Sequence, residues 1–237
     1  MKNNFKENLL EAKDLLKSEK AYNFSMPKYL QLKYTFIPLA IVIILTFFYI
    51  DTPVEKMVIG LPSEVTYFFK KITDFGKAAW IIIVCAIIIL TRLFISPSKL
   101  SEKALNQLNK LTSYASFIVV SVSISGIVGQ IIKSIIGRAR PPLFEQYGSA
   151  YFHHFNFFDA PFASMPSGHS TTIGSLFVCL FFIFPRFKYL WIVLAIFFAA
   201  SRIFVRAHYP SDVIFGLALG SYTSIYLYYW LKNRKLI

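Results

Sequence analysis

The chain has 237 residues, of which 56% are hydrophobic and 16% charged, with 25 Phe and 14 Tyr. That apolar content is above that of an ordinary globular domain and excludes a water-soluble or disordered chain. The net charge of +13 is scattered among the connections between apolar runs and forms no folded nucleic-acid module. Nucleic acid is therefore excluded as a partner, and an anionic lipid bilayer is expected.

Residues 1–25 carry Phe5, Leu9, Ala12 and Leu16 at helical spacing beside Lys6, Lys13, Lys17 and Lys20. This pattern predicts an amphipathic helix in the headgroup plane, within an N-terminal cytoplasmic segment over 1–33. The first apolar run follows more than thirty residues of polar and charged sequence. That is too late for a cleavable signal peptide, so an uncleaved first span is expected. Charge-free stretches then occupy 34–50, 78–91, 111–132, 160–185, 189–201 and 213–231. About 20 apolar residues cross a bilayer as a helix, and the two short stretches reach that length if Arg92 and Arg202 snorkel. Long unalternating runs suit helices rather than barrel strands. The expected fold is all-α: a polytopic bundle of six transmembrane helices over 34–231 with a cytoplasmic tail at 232–237. Cys85 and Cys179 fall inside spans without metal or disulfide spacing and read as small core residues.

With six spans the termini share one side. Sixteen of the 25 lysines and arginines fall on that side, between spans two and three, between spans four and five, and beyond each terminus. The excess marks it as cytoplasmic. Three polar clusters then share the opposite, outer face: Lys133 to Arg140-Pro141, Pro166-Ser167-Gly168-His169, and Ser201-Arg202 to His208 and Asp212. Ionisable groups at the ends of membrane spans are functional candidates by default.

Their chemistry converges on an anion. Lys133 and Arg140 are seven residues apart, two helical turns, and are expected on one face at the end of span three, with Pro141 ending the helix near Arg140. Ser167-Gly168-His169 opens span four, where free N–H groups and the positive end of the helix dipole favour anions. Pro210 suits the first position of span six and places Asp212 in its first turn, from which the carboxylate reaches back to His208 and fixes its tautomer. The other ring nitrogen is left as a nucleophile. Arg202 can neutralise phosphoryl charge.

The set Lys133-x6-Arg140-Pro141, Pro166-Ser167-Gly168-His169 and Ser201-Arg202-x5-His208-x3-Asp212 resembles the three-part signature of the type 2 phosphatidic acid phosphatase superfamily, over roughly residues 111–231. The resemblance implies a metal-independent lipid phosphatase with no cofactor. His208 would form a phosphohistidine, Asp212 would orient it, and His169 would act as acid and then base. Lys133, Arg140, Ser167, Gly168 and Arg202 would cradle the phosphate. Arg138 and Arg206, outside the signature, are candidates for a second anionic group on the substrate.

The loop over 142–165 carries Phe144, Tyr147, Tyr151, Phe152, Phe155, Phe157, Phe158 and Phe162, which either form a lip for a lipid headgroup or pack over the bundle. His153 and His154, adjacent in that loop, lack metal-ligand spacing. Its length and the run Gly137-Arg138-Ala139-Arg140-Pro141 look most similar to bacterial lipid A 1-phosphatases, which implies a substrate-binding face outside the cytoplasmic membrane and lipid A as substrate. Undecaprenyl diphosphate phosphatases and phosphatidylglycerophosphate phosphatases share the motifs and stay open as alternatives. So does a non-catalytic lipid-binding or transport protein on the same bundle. No obligate protein partner is inferred.

Overall fold

The computed structural model describes residues 24–157 and 159–237. Most of the amphipathic segment expected over 1–25, and Phe158, therefore lie outside the described residues. The architecture is helical: α1 (Leu32–Ile59), α2 (Ser63–Thr73), α3 (Ala78–Phe94), α4 (Glu102–Ile136), α5 (Gly168–Ile183), α6 (Lys188–Phe204) and α7 (Pro210–Lys232). The β pairing found among the described residues is an isolated bridge between Arg138 and Phe152.

Among the described residues, four stretches are long and apolar enough to cross a membrane by themselves: Leu32–Ile59, Ser63–Phe94, Glu102–Ile136 and Pro185–Phe204. The other two of the six expected spans correspond to α5 and α7. Helix α5 has 16 residues, about 24 Å at the helical rise, because residues 160–167 form a short turn and a loop rather than helix. Helix α7 has 23 residues but is rich in Gly, Ser and Tyr. The reason is position. Helix α5 is buried along most of its length, and helices screened from lipid need close packing more than they need an oily surface.

That packing is built on small residues. A Cβ on Gly220 would stand 2.0 Å from the Thr171 carbonyl, and one on Gly216 would stand 2.4 Å from the Ser167 carbonyl. The backbones of α5 and α7 therefore touch, as small residues at intervals of four permit in membranes. Ser175 donates to the Gly220 carbonyl, Ser224 donates to the Ser175 carbonyl, and the Ser125 and Ser175 hydroxyls pair at 2.7 Å. Apolar clusters flank this seam, one of Ile81, Cys85, Ala115, Val122 and Leu176, the other of Ile173, Phe177, Ala199 and Val213. Both cysteines are buried thiols. Large apolar side chains such as Ile37, Phe48, Ile83, Ile87, Val193 and Ile196 face outward, as lipid-facing surfaces require.

Helix α1 changes character halfway. A π turn at Thr46–Ile50 precedes Pro53, whose ring and missing N–H do not fit a regular helical ladder. Beyond it Asp51, Glu55 and Val58 are buried on one face, and the two carboxylates meet the connection that leaves α4 and the one that enters α7. The Phe24 amide donates to Asn233 Oδ1, and Leu32 N donates to the Tyr226 hydroxyl. The first described residues and the end of α7 therefore share one end of the bundle, opposite the polar clusters.

Candidate active site

Four helix ends meet at the polar end of the bundle: the C-termini of α4 and α6 and the N-termini of α5 and α7. Helix α4 stops at Ile136 because Gly137 takes a left-handed conformation, φ 63°, with its N–H bonded to the Lys133 carbonyl. A side chain at Gly137 would collide with the His153 carbonyl at 1.7 Å, so the position is glycine for two reasons. The expectation that Lys133 and Arg140 lie on one helix face is thereby corrected. Residues 138–140 run extended, held by Ala139 N to Tyr151 O, Arg140 N to Pro161 O and Ser164 N to Arg138 O. The chain direction, not helical periodicity, returns Arg140 to Lys133.

Helix α5 starts at Gly168 with Ser167 as N-cap. The Ser167 hydroxyl accepts from Ser170 N and Ser170 Oγ, and its own proton remains available to a ligand. Ser167 N donates to the Asp212 carbonyl at 3.0 Å, which ties the second motif to the third. The first N–H groups of α5, at Gly168 and His169, have no acceptor within the helix. Lys133 Nζ stands 3.8 Å from where a Gly168 side chain would begin, so its ammonium lies over this helix start.

Helix α7 begins with Pro210, and Asp212 forms a capping box in which Oδ2 accepts the Tyr209 N–H at 2.9 Å. Asp212 Oδ2 also accepts from Ser164 Oγ at 2.6 Å, and Oδ1 accepts from Arg138 Nη1 at 2.5 Å. His208, 3% exposed with its residue neighbours closed around it, presents Nδ1 to Asp212 Oδ2 at 3.9 Å. The sequence predicts a hydrogen bond here; the structure gives an approach, because Oδ2 already holds two donors. Nδ1 has no other partner among the described residues, and Nε2 is the nitrogen left to face the site. Burial, reinforced by Lys133 and Arg140 against the opposing pull of Asp212, lowers the His208 pKa to about 3. Its imidazole is neutral at physiological pH, the state a nucleophile needs.

The cations in front of His208 are poorly satisfied. Arg140 Nε and Arg202 Nε are buried without a hydrogen-bond partner among the described residues, and Arg202 Nη1 donates to Thr73 Oγ1 at 2.7 Å. Lys133, Arg140, Arg202, the α5 N-terminus and two imidazoles thus converge on one small volume. A tetrahedral oxyanion is the complementary ligand, since each orphaned donor is costly until an acceptor reaches it. Among the described residues no group of three His, Cys, Asp or Glu could hold a metal ion. His153 stacks edge-on against Phe162, and His154 lies flat on Phe152.

One placement differs from the sequence reading and two others sharpen it. Arg138, expected at the substrate, is fully buried and all its guanidinium nitrogens are bonded within the protein, so it has no donor left for a ligand. Arg206 is partly exposed, but its Nε is paired with Glu55 at 2.8 Å. Tyr147, Tyr151 and Phe162 pack on one another and Phe152 stacks on Phe47, while Phe155 and Phe157 are exposed. The sequence reading missed Asp51, Glu55, Thr73, Gly76, Ser149 and Ser164. Of these Gly76 walls the site, a Cβ there standing 3.1 Å from the His169 side chain. The available signal was the first charge after the first apolar run, Asp51, with Glu55 one turn on.

Comparison with known proteins agrees with this geometry. The PAP2 superfamily profile matches residues 114–236. A lipid A 1-phosphatase of Rhizobium etli is 38% identical over 166 residues, covering 69% of this chain and 70% of the relative. One from Rhizobium johnstonii is 35% identical over 185 residues, covering 77% and 74%. The crystal structure of a transmembrane PAP2 type phosphatidylglycerolphosphate phosphatase from Bacillus subtilis superposes with a TM-score of 0.56 at 17% identity, covering 84% of this chain and 96% of that one. This last likeness speaks to the fold. A profile spanning more than half of the chain, relatives of this identity along more than two thirds of it, and a bundle with several membrane-crossing helices together place the chain in the PAP2 superfamily, as a multi-pass membrane phosphatase.

Proposed function

We propose that the protein removes the 1-phosphate of lipid A at the outer face of the bacterial cytoplasmic membrane, through a phosphohistidine on His208. The observation that carries the reaction is the neutral, buried His208 held between an anchored carboxylate and a cluster of unsatisfied cations. The likeness to the two rhizobial lipid A 1-phosphatases supports the substrate. Support for the outer face comes from the polar end of the bundle lying opposite the first described residues and the end of α7, and from the excess of lysines and arginines that the sequence puts on the side of those ends.

In the first step His208 Nε2 attacks phosphorus, and the bond to the lipid oxygen breaks as the P–N bond forms. His169, at the first turn of α5, gives the departing oxygen its proton. The charge that builds on the phosphoryl oxygens meets Lys133, Arg140, Arg202, the Ser167 hydroxyl and the Gly168 and His169 amides. Positive charge on the phosphorylated imidazole meets Asp212. In the second step His169 takes a proton from water, whose oxygen attacks phosphorus and displaces His208, releasing inorganic phosphate. No step calls for a metal ion.

The test is phosphate release by purified wild-type and His208→Ala protein in detergent with chelator, across lipid A, undecaprenyl diphosphate, phosphatidylglycerophosphate and phosphatidic acid. The expected result is chelator-resistant release from lipid A by wild type, with loss of at least about four orders of magnitude in the folded variant. Preference for another lipid would overturn the substrate. Folded wild-type protein that releases no phosphate from any of them would favour a binding or transport role.

A further inference from the structure

The ion cluster behind His208 includes a residue from outside the matched PAP2 region, Asp51 of α1. Arg138 joins it to Asp212. Arg138 Nη2 donates to Asp51 Oδ2 at 2.7 Å, and Nη1 donates to Asp212 Oδ1 at 2.5 Å and to Ser211 Oγ at 2.8 Å. Nε and Nη2 both donate to the Ser149 carbonyl, at 3.0 and 2.7 Å. The guanidinium's central carbon lies over the rings of Phe47 and Tyr209, 4.6 and 4.3 Å from their centroids. Arg138, Asp51 and Asp212 are each 0% exposed.

Asp51 does more than neutralise Arg138. It accepts the Ser211 N–H at 2.9 Å and the Ser211 hydroxyl at 2.5 Å, so it caps the first turn of α7, one residue before Asp212. Its charge also matters. One guanidinium is shared by two carboxylates, leaving the cluster one negative charge in surplus beside the imidazole. Without Asp51, Arg138 would cancel Asp212 outright, and the positive charge that His208 acquires on attacking phosphorus would meet a neutral neighbour. In a low-dielectric site that difference acts at close range.

We infer that Asp51 is a positioning residue for the phosphatase reaction: through Arg138 and Ser211 it fixes the carboxylate of Asp212 toward His208 and keeps that carboxylate's charge uncancelled. Helix α1 is then part of the catalytic apparatus as well as a span. The inference rests on His208 being the nucleophile of the preceding section.

The test compares wild type with the near-isosteric Asp51→Asn in detergent, using whichever lipid of the panel above the wild type hydrolyses best. A wrong lipid A assignment is thereby kept separate from failure here. The readouts are kcat, KM, inhibition by orthovanadate, which mimics pentavalent phosphorus bonded to the histidine, and inhibition by inorganic phosphate, which needs the cation cradle alone. Asp51→Asn is expected to lower kcat about 10- to 100-fold, to leave KM and phosphate inhibition within about twofold, and to weaken orthovanadate in step with kcat. An unchanged kcat overturns the inference, as does equal weakening of orthovanadate and phosphate, which would mean a collapsed site. If Asp51→Asn does not fold, Ser211→Ala takes its place, since it removes the hydroxyl bonded to both Arg138 and Asp51 and leaves all charges. The same split is expected, and an unchanged kcat there overturns the inference equally.

Discussion

Arg138 and Arg140 stand two residues apart and in opposite electrostatic states. Arg138 is enclosed by aromatic rings and two carboxylates with every nitrogen bonded, whereas Arg140 is half-buried with an enclosed Nε that has no partner among the described residues, and Arg202 is in the same condition. The first arginine is finished structure, and the second is a donor held ready for an anion. The contrast separates the region behind His208, where charge is balanced to fix geometry, from the region in front, where charge is left unbalanced to bind phosphate. Stability and activity should therefore respond differently to the loss of each.

The largest effect is expected behind the histidine. Arg138→Met strands two buried carboxylates, and removing one partner from a buried ion pair costs about 3–5 kcal/mol. A clear fall in the detergent melting temperature should accompany loss of turnover; an unchanged melting temperature would break the comparison. A smaller effect on a different axis is expected in front. Arg140→Met removes a charge that its enclosure disfavours and that no hydrogen bond at Nε repays among the described residues, so the melting temperature should hold or rise. Losing one oxyanion donor should still cost about 10²- to 10³-fold in kcat/KM. Matching falls in stability for the two variants would show that both arginines are structural.

The sequence disclosed the front of the site more readily than the back. Lys133, Arg140, Ser167, Gly168, His169, Arg202 and His208 stand out because charge and small polar residues are conspicuous at the ends of apolar runs. Their convergence at four helix ends follows from the order of the spans. The back is hidden for a physical reason: Asp51 meets Arg138 across 87 positions and Glu55 meets Arg206 across 151. No local spacing encodes such pairings. The role given to Arg138 failed because sequence shows that a residue is cationic but not that its charge is already consumed. Helical spacing misled at Lys133 and Arg140, since it takes no account of the left-handed Gly137 between them. The close seam between α5 and α7 was present in the sequence as Gly216, Gly220 and Ser224 at intervals of four. The same small and polar residues lower the hydropathy of α7, and α5 is apolar but only 16 residues long, so neither registers as membrane-crossing on length and apolarity alone.

The central claim is that phosphorus passes through His208. The direct measurement is rapid quenching of the enzyme in alkaline SDS during turnover of lipid A labelled with ³²P at the 1-position, followed by gel separation under alkaline conditions, where phosphohistidine survives, and by acid treatment of a parallel sample. The account predicts an acid-labile, alkali-stable label on wild-type protein, absent from folded His208→Ala. A label that persists in His208→Ala, or wild-type turnover with no label under rapid quench, would contradict it.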